Sequence, residues 1–323
     1  MAPGIARVGH VALETPTLEE TEWFFTEMIG LHEVERTDDT VFLRAAADRE
    51  HHTLSLTESD EVAVDHVGLR TQEPEHVDEF AGILEEQGRE VKWIEPGEET
   101  GQGEAIRFET PGGHLFEIYY DVNKPVPEGE KRSGLKPRLH SYEGGTYPQR
   151  LDHVNIWCDN VPEMVEWLQD TLGYSLIEYL VDEEDDIYGA WTSSNAVNHD
   201  IALQEHPEGE TGQHHHVAYF LPNSTDVLDA ADLLREHEIP MEFDGPGKHG
   251  VSMAEYLYTR DPATDHRVEL YTGGYIVLDP DWEPIKWTPD EGETVLSWYG
   301  PAANAIEEYG GGKFNKTASY RSL

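Results

Sequence analysis

Residues 152–180, DHVNIWCDNVPEMVEWLQDTLGYSLIEYL, read as a strand, an amphipathic helix and a second strand. The helical part, VPEMVEWLQDTLGY, carries apolar residues at three- and four-residue spacing and closes on Gly173, a residue suited to the left-handed turn that ends a helix. Its opening dipeptide, His-Val, recurs in GHVAL at 9–13, DHVGL at 65–69 and HHVAY at 215–219. Each of these is followed by a helical stretch: LEETEWFFTEMIGL, EPEHVDEFAGILEEQG and STDVLDAADLLREHEI. Short strand-like runs such as TVFLRA, EAIRFE and IYGAWT come next. The repeated unit is therefore β-α-β-β-β.

Chemically matching residues test a larger duplication. His10 and His153 are 143 residues apart, His52 and His199 147, His66 and His216 150, and Glu117 and Glu269 152. A slowly rising offset is what duplication with small insertions in the second copy gives, whereas chance matches would scatter. The expected fold is α+β, four βαβββ units paired into two similar modules over 1–122 and 150–275. A linker rich in Pro, Gly and charge spans 123–149. A tail of loop-like composition, 276–323, carries WEPIKWT and LSWYG and is a candidate lid.

The chain has 323 residues, with 66 Asp and Glu against 22 Lys and Arg, for a formal net charge of −44. Nucleic acid and anionic membrane surfaces both demand clustered bases, so neither is an expected partner. Acidic chains are often disordered, but 8 Trp, 15 Tyr and 9 Phe supply apolar surface for real cores. The acids are dispersed, as on a halophile's surface, where screening by molar salt relieves self-repulsion. No run approaches eighteen apolar residues, and a single cysteine, Cys158, cannot form an intramolecular disulfide. Cys158 reads as core filler and the cytoplasm as the expected compartment.

His153 and His216 each open a strand, and Glu269 lies in HRVELY near the end of the second half. Two imidazoles and a carboxylate from three strands can take one face of a metal and leave its other positions open. That arrangement suits non-haem Fe(II), which must meet substrate and oxygen together. Strand alternation puts Asn155 on the side of His153. With 17 histidines in the chain, one His-Val alone would be structural more often than ligating; the argument rests on their matched positions in the repeat. The first half keeps His10, His66 and Glu117. His199 has a counterpart in His52, but His249 in GPGKHGVS and Tyr258 in YLYTRDP have none, since the first half reads EPGEETG and IRFETP there. Acid/base groups thus surround only the second triad. The second half is expected to work, and the first triad to be an inherited, non-catalytic relic.

The motifs DHVNIW, GAWTSSNAVNHD, HHHVAYF, GPGKHGVS and YLYTRDPATDHRVELYTGGY, in this order, resemble the type I extradiol ring-cleaving dioxygenases of the vicinal oxygen chelate superfamily. Within it the chain looks closest to homoprotocatechuate 2,3-dioxygenase and catechol 2,3-dioxygenase, and the likeness covers nearly all of it. The resemblance implies that His153, His216 and Glu269 bind Fe(II), or Mn(II) in some relatives. It implies that His199 is the acid/base group beside the oxygen site, and that His249 and Tyr258 hydrogen-bond the hydroxyl oxygens of a catechol. Asn155 and Trp191 match pocket-lining positions. The activity implied is meta cleavage of a catechol by O2 to a semialdehyde of the 2-hydroxymuconic type, in aromatic hydrocarbon catabolism, by a homotetramer.

One departure bears on the substrate. Homoprotocatechuate enzymes carry an arginine before the GPG-basic-His-Gly motif and another in the tail to hold the substrate's carboxylate. Here the first position is Asp244, and GETVLSWYG has no arginine. An anionic substituent would be buried without its bidentate partner, so an uncharged catechol or alkylcatechol is expected, unless Arg260 or Arg267 points inward. Two rivals keep the fold. A glyoxalase-like isomerase or lyase usually needs a further carboxylate and lacks the His199, His249 and Tyr258 set. A non-enzymatic small-molecule-binding protein would have no metal triad.

Overall fold

The computed structural model describes residues 3–125, 144–242 and 245–300. The first module contains β1 (Ile5–Thr15), α1 (Leu18–Trp23), β2 (His32–Arg36), β3 (Thr40–Arg44), β4 (Leu54–Glu58), β5 (Ala63–Thr71), α2 (His76–Glu86), β6 (Lys92–Ile94), β7 (Ala105–Glu109) and β8 (Leu115–Tyr119). They form one sheet in the order β2-β3-β4-β1-β5-β8-β7-β6. Each unit is a four-stranded half, and the two halves join where β1 and β5 pair antiparallel.

The second module repeats this pattern. It contains β9 (Arg150–Cys158), α3 (Val161–Leu172), β10 (Ser175–Val181), β11 (Ile187–Ser193), β12 (Ile201–Glu205), β13 (Gln213–Phe220), α4 (Ser224–Glu236), β14 (Gly247–Lys248), β15 (Glu255–Arg260) and β16 (Arg267–Thr272). Its sheet runs β14-β15-β16-β13-β9-β12-β11-β10, the same arrangement, with one added edge strand, β17 (Ile285–Trp287). The architecture is thus α+β with paired modules, as the repeats predict.

Local chemistry explains the helix ends. The Asn160 side chain accepts from the Glu163 N–H at the start of α3, and Gly173 closes it at φ 74°, where a Cβ would be strained. Residues 18–31 read as one α-helix, but α1 passes at Phe24–Met28 into a π turn in which Ile29 N–H reaches the Phe24 carbonyl. The wider turn keeps Phe24, Phe25, Met28 and Ile29 all in the core.

Strand alternation divides the two faces. On β9, Val154, Ile156 and Cys158 join the hydrophobic core with Met164, Val165 and Leu168 of α3, while His153 and Asn155 lie on the opposite face. Burial raises the Cys158 thiol pKa, consistent with a packing role. The modules are tied together by Leu151 N–H to Asp48 (3.1 Å) and by His114 Nε2 to the Trp157 carbonyl (2.8 Å).

The described part of the tail is more ordered than its composition suggests. β17 pairs parallel with β10, and Trp287 and Tyr275 both donate to the buried Glu178, at 2.7 and 2.6 Å. A lone buried carboxylate needs such donors, and it draws the tail onto the sheet. The helix α5 (Gly292–Leu296) then places Val295 and Leu296 against Trp191 and Val251. No helix among the described residues is long and apolar enough to cross a membrane.

Candidate metal centre and its surroundings

The polar face of the second sheet collects the three groups that the sequence singles out. His153 Nε2 and His216 Nε2 are 3.1 Å apart, and Glu269 Oε2 lies 3.0 Å from the first and 3.1 Å from the second. Donors on one face of an octahedral ion with bonds of about 2.1 Å stand about 3.0 Å apart, so this triangle has the size of such a face. All three residues are buried. Burial alone would raise the Glu269 pKa, but hydrogen bonds from His153, His216 and His249 hold it well below the usual carboxylate range. The site therefore presents a fixed negative charge to whatever fills it.

The outer nitrogens of both imidazoles are engaged. His153 Nδ1 is 3.1 Å from Asp152 Oδ2, and since a carboxylate only accepts, Nδ1 carries a proton and Nε2 is the nitrogen turned to the centre. His216 Nδ1 lies 2.5 Å from Nδ1 of His215, whose imidazole burial and Arg267 keep neutral. Arg267 Nη1 donates to His215 Nε2 at 2.8 Å, so neutral His215 carries its proton on Nδ1 and turns it towards His216 Nδ1.

Three further groups border the triangle. His199 precedes β12 and packs its ring 4.2 Å from that of His153; burial, and then the charge of His153, push its pKa well below normal. Its Nδ1 has no hydrogen-bond partner among the described residues. His249 Nδ1 is 2.5 Å from the Leu296 carbonyl, which only accepts. Nδ1 therefore carries a proton, and Nε2 faces the Tyr258 hydroxyl and Glu269 Oε1, each at 3.3 Å. Burial and then Glu269 keep Tyr258 protonated.

Asn155, Trp191, Ala202, Val251 and Leu296 are among the further residues lining a cavity of about 30 Å³ over these groups. Asp244 lies outside the described residues. Arg260 and Arg267 both bind Glu242, and Arg267 also lies 5.5 Å from the Tyr258 ring centre. Neither arginine lines the cavity. Sequence reasoning missed Tyr271, which strand alternation places on the side of Glu269 and which hydrogen-bonds Asn198 at 3.0 Å. It also missed Asp152, His215 and Leu296, the groups that meet the outer nitrogens of His153, His216 and His249.

Strand register confirms the duplication. Val11 pairs with Leu54 and Val154 with Ile201, which sets His10 against His153 and His52 against His199. Gly68 pairs with Glu117 and Ala218 with Glu269. The first-module triangle is nevertheless looser, with edges of 2.9, 3.8 and 3.9 Å.

Residues 150–270 match the Glyoxalase/Bleomycin resistance protein/Dioxygenase superfamily, and 64–123 the catechol 2,3-dioxygenase-like N-terminal domain. The chain is 51% identical over 302 residues to a manganese-dependent 2,3-dihydroxybiphenyl 1,2-dioxygenase of Geobacillus genomosp. 3, covering 93% of this chain and 96% of that one. It is 36% identical to a metapyrocatechase of Geobacillus stearothermophilus, covering 92% and 90%. The solved homoprotocatechuate 2,3-dioxygenase of Brevibacterium fuscum, in its complex with 3,4-dihydroxyphenylacetate, superposes with a TM-score of 0.85 at 29% identity over 97% of each chain. With relatives this similar along its whole length, the chain belongs to the extradiol ring-cleaving dioxygenases of that superfamily.

Proposed function

We propose that the second module holds Mn(II) or Fe(II) on His153, His216 and Glu269, and opens the ring of an uncharged catechol there. The donor triangle of 3.0–3.1 Å carries this reading, because its edges match the face of an octahedral ion. A metal so held supplies chelation for both catechol oxygens and a path for electrons from the ring to O2. Two imidazoles and a carboxylate suit either ion; the relative named manganese-dependent supports Mn(II).

The surrounding residues have separable tasks. His249 offers the lone pair on Nε2 to a catechol hydroxyl proton, while the Tyr258 phenol donates to the oxygen left behind. His199, neutral at working pH, exchanges a proton on the oxygen side. Asn155 and Trp191 wall the ring. The cavity of about 30 Å³ is close to one water's share of liquid volume, so substrate entry requires Leu296 to move. That gives the tail segment Gly292–Leu296 the role of a lid.

Trp191, Ala202, Val251 and Leu296 make an apolar wall, and the two nearby guanidiniums are held by Glu242. With Asp244 in place of an arginine, a carboxylated ring finds no cationic partner among the described residues that line the cavity. Catechol, an alkylcatechol or 2,3-dihydroxybiphenyl fits better. The first module is the non-catalytic partner, and the dispersed acidic coat suits a saline cytoplasm.

The test is to strip the metal and reload anaerobically with Mn(II) or Fe(II) in high salt. Catechol, 2,3-dihydroxybiphenyl and 3,4-dihydroxyphenylacetate are then supplied with O2. The first two should consume one O2 per ring and turn yellow. No oxygen uptake with any of them would sink the reading, and a preference for the carboxylated ring would overturn the assignment of the pocket.

A further inference from the structure

The first module preserves the metal-ligand register but fills its centre differently. Arg107, on β7, pairs with Glu117 across the sheet, and its guanidinium is buried among carboxylates. Nε lies 2.5 Å from Glu117 Oε2, Nη2 2.6 Å from Glu99 Oε2, and Nη1 3.1 Å from Asp65 Oδ2. Nη2 also lies 3.4 Å from His66 Nε2. One cation thus touches two members of the triad, and Gln102 donates to the remaining Glu117 oxygen at 2.5 Å. The carboxylates need a positive charge at this point, and Arg107 provides it.

We propose that the Arg107 guanidinium stands where a metal ion would sit, and that replacing this one side chain with a neutral one creates a second divalent-cation site on His10, His66 and Glu117. The two imidazole Nε2 atoms are already 2.9 Å apart, so only Glu117, now drawn towards Arg107, has to turn. A spare donor lies close by: His52 Nε2 is buried, has no hydrogen-bond partner among the described residues, and is 4.0 Å from Glu99 Oε1. His10, His52 and Glu99 form a second group of convergent donors sharing His10. Access is open, because His66, Glu99 and Arg107 line a cavity of about 1070 Å³. The ion class is a first-row divalent cation that accepts mixed nitrogen and oxygen donors.

The test is metal stoichiometry of the full chain after loading with MnCl2 in 1 M NaCl and desalting, which removes ions held loosely by the acidic coat. Wild type should retain one Mn(II) per chain, Arg107→Met two, and Arg107→Met with Glu117→Gln one. The count of one in wild type rests on the second-module reading, so the His216→Ala background separates the two ideas. His216→Ala alone should hold none and His216→Ala with Arg107→Met one. If His216→Ala kept its metal, the second-module reading would fail, while the increment caused by Arg107→Met would still decide this one. Two ions in wild type, or no increment in Arg107→Met, overturns the proposal. Because the variant leaves buried carboxylates unpaired, Mn(II) should raise its melting temperature. If Arg107→Met and Arg107→Gln both stay insoluble even when refolded with Mn(II), the proposal is also overturned.

Discussion

Tyr258 and Arg107 occupy the same place in the duplicated frame: Tyr258 pairs with Glu269 across β15 and β16, and Arg107 with Glu117 across β7 and β8. A phenol at this position is neutral and brings no charge to Glu269, whereas a guanidinium cancels that of Glu117. The two triads share ligands but not charge balance, and on the function proposed above that difference separates a site that attracts a metal from one that does not.

The first prediction follows from this asymmetry. His216→Ala removes one of three donors from a buried centre and should abolish metal retention and turnover together. His66→Ala removes a buried hydrogen-bonding group from the first module, costing about 1–3 kcal/mol of stability, and should leave kcat near the wild-type value. Metal content and oxygen uptake of the two variants check this; the reverse pattern would mean that the first module works.

His199 supports a second prediction. Its ring packs on that of His153 without belonging to the donor triangle, so His199→Gln should retain the metal. Loss of a positioned acid/base group costs roughly 10² to 10⁴ in rate, and kcat should fall by about that factor with KM for the catechol little changed. A large rise in KM at constant kcat would show that His199 only binds substrate.

Much of the fold was legible because its signals are local and repeated. The alternation of His153 and Asn155 with Val154 and Ile156 separates a polar face from a core face within five residues, and four copies of the pattern confirm one another. The rest depends on contacts between distant residues. The proton on His249 is placed by the Leu296 carbonyl, 47 positions away, and the order of the tail by the Glu178 carboxylate, which meets Trp287 109 positions away. Arg107 was visible as a residue of IRFETP, but nothing in that string reveals that three carboxylates surround it.

Stability should depend on pH through the buried imidazoles. Burial lowers the His10 pKa to about 3 and those of His52, His199 and His215 well below normal. An unfolded histidine takes up its proton near pH 6.5, so these four contribute stability that is fully present above that value and lost as pH falls towards the folded values. Asp200, pushed up to about 7 by burial, runs the other way, while His66, held up by Glu117 and Asp65 against burial and Arg107, is protonated in both states below pH 6.5 and adds no slope there. The four imidazoles set the sign, so stability should fall as pH drops from 6.5 towards 5. Melting temperatures of the metal-loaded enzyme at constant salt check this, and a flat profile would contradict it. His52→Gln should flatten the slope.

Salt dependence is the last prediction. With a net charge of −44, acidic surface groups such as Asp78, Glu79, Glu85 and Glu86 on α2, and Glu183 to Asp186 before β11, are exposed. Their repulsion acts over the Debye length, about 10 Å at 0.1 M salt and about 3 Å at 1 M. The unfolded chain spreads the same charge over a larger volume, so repulsion penalises the folded state more, and screening should stabilise the fold. The melting temperature should therefore rise with KCl and gain most of its increase below about 1 M, where the Debye length changes most. Sulfate salts exclude themselves from protein surfaces in addition to screening, so KCl and Na2SO4 at matched ionic strength distinguish the causes. Coinciding curves below 1 M identify screening of the coat. A rise that appears only with sulfate would show that the acidic surface does not limit stability.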